Sequence, residues 1–206
     1  MATLLKIPGH DHQKAGEVSL DEIRAVMGDC RLCPLGETRK NIVFGSGNPH
    51  ARVVLVGEAP GATEDEMGLP FVGRAGELLD RMLQEQAGVH REEIFIANVL
   101  KCRPPGNRDP QPQEQDACFG WLERQLRLLQ PSIIVCLGRI AAMRLIRPDF
   151  RITREHGQWF ERNGVRYLAM YHPSALLRDP ARRPETYTDL LTLREAVRTL
   201  GPLPNA

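Results

Sequence analysis

The chain has 206 residues, 42% of them hydrophobic and 26% charged, with a formal net charge of +1. That size suits one domain with a buried core, and the composition excludes a disordered, collagenous or uniformly basic nucleic-acid-coating protein. No apolar run reaches the length of a membrane span, and the start, MATLLKIPGHDHQKAG, has no long apolar stretch after its charge.

Residues 1–18 are polar with little periodicity and are expected to form a flexible N-terminal tail, leaving 19–206 as a single domain. Ser19-Leu-Asp-Glu22 is a capping box and predicts a helix with Leu20, Ile23, Val26 and Met27 inward, ending near Gly28. A Gly/Asn/Pro-rich loop, Gly45 to Pro49, precedes a strand over 52–56. Helices are predicted over about 74–87, 113–129, 138–146 and 185–200, and strands over 94–99, 132–137 and 165–170. Strands alternating with helices predict an α/β fold with a parallel sheet covered on both faces. In such folds ligands bind beyond the carboxyl ends of the strands. The stretch GEAPGATEDEMGLPFVGRAG, residues 57–76, follows the first predicted strand and so lies at that edge. The cysteine quartet Cys30, Cys33, Cys102 and Cys118, Asn98, the Asn-Arg-Asp-Pro loop at 107–110 and the segment His-Pro-Ser-Ala-Leu-Leu-Arg at 172–178 are expected to converge on it.

Four of the five cysteines form two pairs, Cys30/Cys33 and Cys102/Cys118. Thiolates at such spacings close around tetrahedral zinc or a four-iron cluster. Cys136, inside the apolar run SIIVCL, reads as a small core residue. Five cysteines without a leader segment read as a metal-binding, cytoplasmic chain rather than a disulfide framework. Of the 27 basic residues four are Lys and 23 Arg; arginine suits phosphate contacts.

GEAPGATEDEMGLPFVGRAG, then NVLKCRPPGNRDP with Cys118 following, then YHPSALLR, resemble in order and spacing the motifs of the iron–sulfur (family 4) uracil-DNA glycosylases. The resemblance covers nearly all of the chain from Cys30 to the last helix. It implies a three-layer αβα sandwich with a four-stranded parallel sheet, and hydrolysis of the bond between uracil and deoxyribose in DNA, single- or double-stranded, by a monomer. It implies a structural 4Fe–4S cluster on Cys30, Cys33, Cys102 and Cys118, with zinc as the alternative. Glu58 and His172 are the implied catalytic residues; Gly57, Ala59, Gly61, Phe71, Asn98 and Ser174 would contact substrate; Leu176 would fill the gap left by the extruded base and Arg178 would reach a phosphate.

The residue chemistry agrees with those roles. Phe71 offers a π-face, Asn98 a carboxamide that matches the O4 acceptor and N3 donor of uracil and mismatches cytosine, and His172 a donor for the departing base. Glu58 would steady the sugar cation or orient water, with Glu64 and Asp65 as outside candidates. The Gly45–Gly47 loop is a further candidate for gripping the DNA backbone, and Lys101, Arg103 and Arg108 for a positive face on the Cys-rich loop. Two positions depart from better-known uracil glycosylases outside the family: Ala59 replaces a water-activating Asp, and Gly61 replaces a Tyr that blocks the methyl of thymine. The first favours, as an alternative, a non-catalytic iron–sulfur or zinc DNA-binding protein. A nucleotide- or flavin-binding redox protein would need a GxGxxG fingerprint after the first strand, which is missing.

Overall fold

The apolar runs assemble into one sheet in a computed structural model that describes residues 19–201; the tail expected at 1–18 lies outside the described residues. In chain order the strands are β1 (Ser46–Gly47), β2 (Val53–Gly57), β3 (Phe95–Asn98), β4 (Ile133–Leu137), β5 (Trp159–Arg162) and β6 (Val165–Met170). The helices are α1 (Leu20–Met27), α2 (Leu35–Thr38), α3 (Ala62–Met67), α4 (Arg74–Met82), α5 (Pro112–Leu129), α6 (Arg139–Leu145), α7 (Ile152–Glu155), α8 (Pro173–Arg178) and α9 (Arg183–Arg198). The order across the sheet is β1-β3-β2-β4-β6-β5. Its middle four strands are mutually parallel, and the short edges β1 and β5 pair antiparallel.

The four-stranded parallel sheet anticipated from the sequence is therefore present, extended to six strands by the two edges. β1 lies within the segment read as a loop: Gly45 and Gly47 have φ of 130° and 127°, and a Cβ on Gly47 would stand 2.0 Å from the Ile94 carbonyl oxygen. Those glycines permit the close pairing of β1 with β3. β5 joins β6 through Asn163-Gly164, both with positive φ (51° and 75°), the backbone of a tight hairpin. That Asn-Gly pair was the available signal.

Strand periodicity divides the core. Val54 and Val56 face one side with Ile134 and Cys136, beneath Ile23 and Met27 of α1, Phe119, Leu122 and Leu126 of α5, and Leu145 of α6. Val53 and Leu55 face the other with Ile133 and Val135, beneath Leu78, Leu79 and Met82 of α4, Leu176 of α8, and Leu190 and Leu193 of α9. These two apolar layers make the αβα sandwich. The expected capping box is formed, with the Ser19 hydroxyl accepting from Glu22 N–H at 3.1 Å and Glu22 accepting from Ser19 N–H at 2.5 Å. α4 runs into a π-helical turn, Leu83–Ala87, so the predicted 74–87 helix is continuous but changes pitch. Among the described residues no helix is long and apolar enough to cross a membrane.

Candidate active site

Every middle strand ends by delivering a polar or flexible residue to the same edge. Glu58 follows β2, Asn98 closes β3, Gly138 and Arg139 follow β4, and Tyr171 and His172 follow β6. Together with Ala59, Gly61, Glu64, Phe71, Asn107–Asp109, Ser174 and Arg178 they line a cavity of about 440 Å³. The sequence brought most of these together; Arg139 and Tyr171 were missed, although a residue just past the carboxyl end of a parallel strand is where a ligand contact is expected.

The wall between β2 and β3 is unusually tight. Gly57 pairs with Asn98 across the sheet, and a Cβ on Gly57 would stand 2.4 Å from Asn98 Oδ1 and 2.7 Å from Phe71 Cζ. Only glycine lets the carboxamide and the ring approach the strand this closely. Asn98 is 1% exposed, and among the described residues its buried Oδ1 has no hydrogen-bond partner. An orphaned buried acceptor costs stability unless something fills it. Phe71 has a φ of 51°, held by Arg91, whose guanidinium donates to the carbonyls of Phe71 (3.0 Å) and Pro70 (2.5 Å) while pairing with Asp80. Its ring lies 5.5 Å from that of His172, centroid to centroid.

His172 caps α8, where its Nδ1 accepts from Ser174 N–H at 3.2 Å and lies 2.8 Å from Ser174 Oγ. A ring nitrogen that accepts a backbone N–H carries no proton itself, so the neutral imidazole bears its proton on Nε2. Burial, with Arg178 adding to it and Glu64 opposing, brings the ring down to about 4; at neutral pH it is an uncharged donor. Glu58 moves the other way: burial first and Asp109 second raise its carboxyl to about 7, against Arg139 and Arg178. Arg139 itself pairs with Asp109 at 2.6 Å.

Glu64 Oε1 accepts from the N–H groups of Val72 and Gly73 at 3.0 and 2.9 Å. Its Oε2 lies 2.7 Å from where a Cβ on Gly61 would stand. The carboxylate thus covers the open side of Gly61. Asp65 is buried and caps the backbone of Lys40 at 2.9 Å, which removes it from the reaction. Ala59 lines the cavity and also packs against the cysteine cluster.

Two expectations need correction. Leu176 is fully buried, in the same apolar layer as Leu79 of α4 and Leu190 and Leu193 of α9. A side chain with no exposed surface in the core cannot enter a DNA helix; its place in the motif reflects the inward face of α8. Lys101 is 1% exposed and so gives the Cys-rich loop no positive face. Arg103 and Arg108 remain on that loop, bonded to Asn107 and Glu114. Arg178 is exposed and lines the cavity.

The four paired cysteines line one small cavity of about 10 Å³ with Met27, Ile42, Lys101 and Trp121. Lys101 N–H donates to Cys118 Sγ at 3.3 Å and the Arg39 guanidinium to Cys102 Sγ at 3.6 Å. Burial pushes the Cys102 thiol up to about 12, with Arg39 opposing, and raises that of Cys118. Among the described residues no group of three or more His, Cys, Asp or Glu is arranged to hold a metal ion. The convergence of four thiols from three separate segments, with N–H donors aimed at two sulfurs, fits a thiolate-bound metal group, whose sulfurs attract such donors. Cys136 is fully buried in β4, a core residue as expected.

Over residues 44–193 the chain matches the family profile described as the Uracil DNA glycosylase superfamily. It is 47% identical over 185 residues to a type-4 uracil-DNA glycosylase of Archaeoglobus fulgidus, covering 86% of this chain and 92% of that protein. A type-4 uracil-DNA glycosylase of Thermotoga maritima is 45% identical over 154 residues, 73% of this chain and 79% of its own. A type-5 uracil-DNA glycosylase of Thermus thermophilus is 33% identical over 182 residues, 70% of this chain and 82% of its own.

Two measurements check this geometry. Leu176→Ala should lower unfolding stability by about 2–5 kcal/mol in denaturant titration, as for a core leucine. A wedge exposed to solvent would lose far less. Glu58 keeps its proton to about 7 in the fold against an ordinary value of 4.5. Its ionisation therefore erodes stability as pH rises from 4.5 to 7, and the full penalty persists above 7. Glu58→Gln should raise Tm relative to the parent protein at pH 8 and leave the two alike at pH 4.

Proposed function

The chain belongs to the uracil-DNA glycosylase superfamily, in its type-4 branch, and from that premise we propose how its own residues carry the reaction. It is a hydrolase that removes uracil from DNA and leaves an abasic site for base excision repair. The observation that carries the residue assignment is the convergence of Glu58, Phe71, Asn98 and His172 on one cavity at the carboxyl edge of the sheet.

A base inside a duplex is out of reach, so uracil is first extruded into the cavity. Phe71 stacks on it. The unpartnered Oδ1 of Asn98 accepts from uracil N3–H and the same carboxamide donates to O4; cytosine reverses both roles and is refused. As the C1′–N1 bond breaks, the electron pair leaves with N1 and negative charge spreads to O2. The Nε2–H of neutral His172 donates there, and its low proton affinity keeps it a hydrogen-bond donor without charge. On the sugar side the Glu58 carboxylate faces the developing cation, orients the water that adds to C1′ and takes its proton, which then passes by solvent to the uracil anion. Ala59 takes no part in proton transfer. Glu64, held over Gly61 by two backbone N–H groups, occupies the side where the methyl of thymine would project, which offsets the absent Tyr. Ser174 and Arg178 lie at the rim for phosphate contacts.

Cys30, Cys33, Cys102 and Cys118 would hold a 4Fe–4S cluster, with zinc as the less favoured occupant. When bound, that group supplies a cross-link between the segment after α1, the loop after β3 and α5, and no chemical step. The need for reduced thiols supports a cytoplasmic setting. A non-catalytic DNA-binding role is not favoured, because its sequence argument rested on Ala59 alone and the cavity is otherwise furnished for catalysis.

The test is single-turnover cleavage of an oligonucleotide carrying one uracil, with alkali revealing abasic sites. Uracil should be excised, and His172→Ala should be slower by about 10²–10³-fold, the usual loss for one donor to a developing anion. The rate should rise with pH through about 7 as Glu58 ionises, and Glu58→Gln should be slow with that limb absent. Glu64→Ala should narrow the preference for uracil over thymine. Intact DNA after incubation with metal-loaded protein would overturn the assignment.

A further inference from the structure

Lys101 is among the largest side chains that the fold buries completely. Its Nζ donates to the Asn98 carbonyl oxygen at 3.0 Å and to Gln125 Oε1 at 2.6 Å. Gln125 is itself fully buried and fixed by its Nε2–H on the Phe44 carbonyl at 2.9 Å, so its oxygen is turned to the amine. The Lys101 backbone is equally committed: its N–H donates to Cys118 Sγ at 3.3 Å, and its carbonyl accepts from Val43 N–H at 2.8 Å. Among the described residues no carboxylate forms an ion pair with this amine. Burying an ammonium against neutral oxygens alone is costly, and the residues beside it that carry negative charge when they ligate a metal are Cys102 and Cys118.

We propose that Lys101 is a positioning residue that couples the cysteine cavity to the uracil-reading end of β3. Its side chain holds the backbone of Asn98, whose carboxamide oxygen is the unpartnered acceptor in the base cavity. Its main chain holds Cys118, and its charge complements thiolates bound to a metal group. Loss of that group loosens Asn98; loss of the lysine loosens both. The inference rests on the reading of Asn98 as the base reader and of the cysteine quartet as a metal site.

The test compares the parent protein, Lys101→Met and Lys101→Arg, each with its metal content measured. Free uracil is used as a product inhibitor of excision, and phenanthroline, which takes iron and zinc alike, as the stripping agent. Lys101→Met should need about tenfold more uracil for the same inhibition, in the range of one lost charge-assisted hydrogen bond. It should surrender its metal several-fold faster, with affinity for undamaged duplex at the parent value, and Lys101→Arg should recover part of both effects. Uracil inhibition and stripping rate equal to the parent would overturn the proposal, as would a change in either that Lys101→Arg fails to lessen. If Lys101→Met does not fold, Gln125→Met decides, since it leaves the lysine but removes the oxygen that holds its amine. Several-fold weaker uracil inhibition in Gln125→Met supports the coupling and an unchanged value overturns it. A parent protein that leaves uracil in place overturns the functional reading, and this one with it. Where the parent excises uracil, a negative result in the variants overturns the role of Lys101 alone.

Discussion

The register that sets Gly57 opposite Asn98 in the parallel pair β2/β3 is the constraint on which the site depends. It brings β2's end against Asn98, the proposed base reader, and the absent Cβ leaves room for Asn98 Oδ1 and the Phe71 ring to share one wall. A slip of one residue would turn Asn98 to the opposite face of the sheet. The apolar layers on both faces fix the register, because Val53 and Leu55 must meet one set of helices while Val54 and Val56 meet the other. Catalytic geometry is in that sense a by-product of core packing.

Around this wall, burial sorts two titratable groups in opposite directions. Desolvation raises the Glu58 carboxyl to about 7 and lowers the His172 imidazole to about 4, because in each case it penalises the charged form. Glu58 becomes a group whose charge is available near neutrality, and His172 a neutral donor with its tautomer set by Ser174 N–H. Asp109, Arg139 and Arg178 modulate the first effect from the rim. In the proposed reaction one side chain meets the sugar cation and the other the departing base anion.

A second centre lies on the α1/α5 side of the sheet. Leu35, Leu100, Cys102 and Cys118 form a small apolar cluster against which Cys33 and Ala59 pack. Ala59 therefore joins the two centres through van der Waals contact, where an aspartate would meet an apolar surface. The substitution that looked like a missing catalytic group from the sequence has a packing reason in the structure.

Local rules made much of this legible. Alternating apolar runs located all four parallel strands, Ser19 and Glu22 located the first helix, and the motif order placed Glu58, Phe71, Asn98, His172 and Arg178 on one edge. Where the reading failed, the deciding partner was distant in sequence. Leu176 sits in the motif at a position expected to meet DNA, yet it is buried in the apolar layer that also holds Leu79, Leu190 and Leu193. Lys101 is flanked by Cys102 and Arg103 and reads as part of a basic loop, but Gln125 and the Asn98 carbonyl draw its amine inside. Glu64 is one of three clustered carboxylates until the backbone of Val72 and Gly73 folds back on it. The sequence alone determined periodicity, caps and the chemical types at the sheet edge, since these depend on neighbours within a turn or a strand. Only the tertiary structure decided which polar side chain is buried and which is free, since that depends on surfaces brought together across the fold.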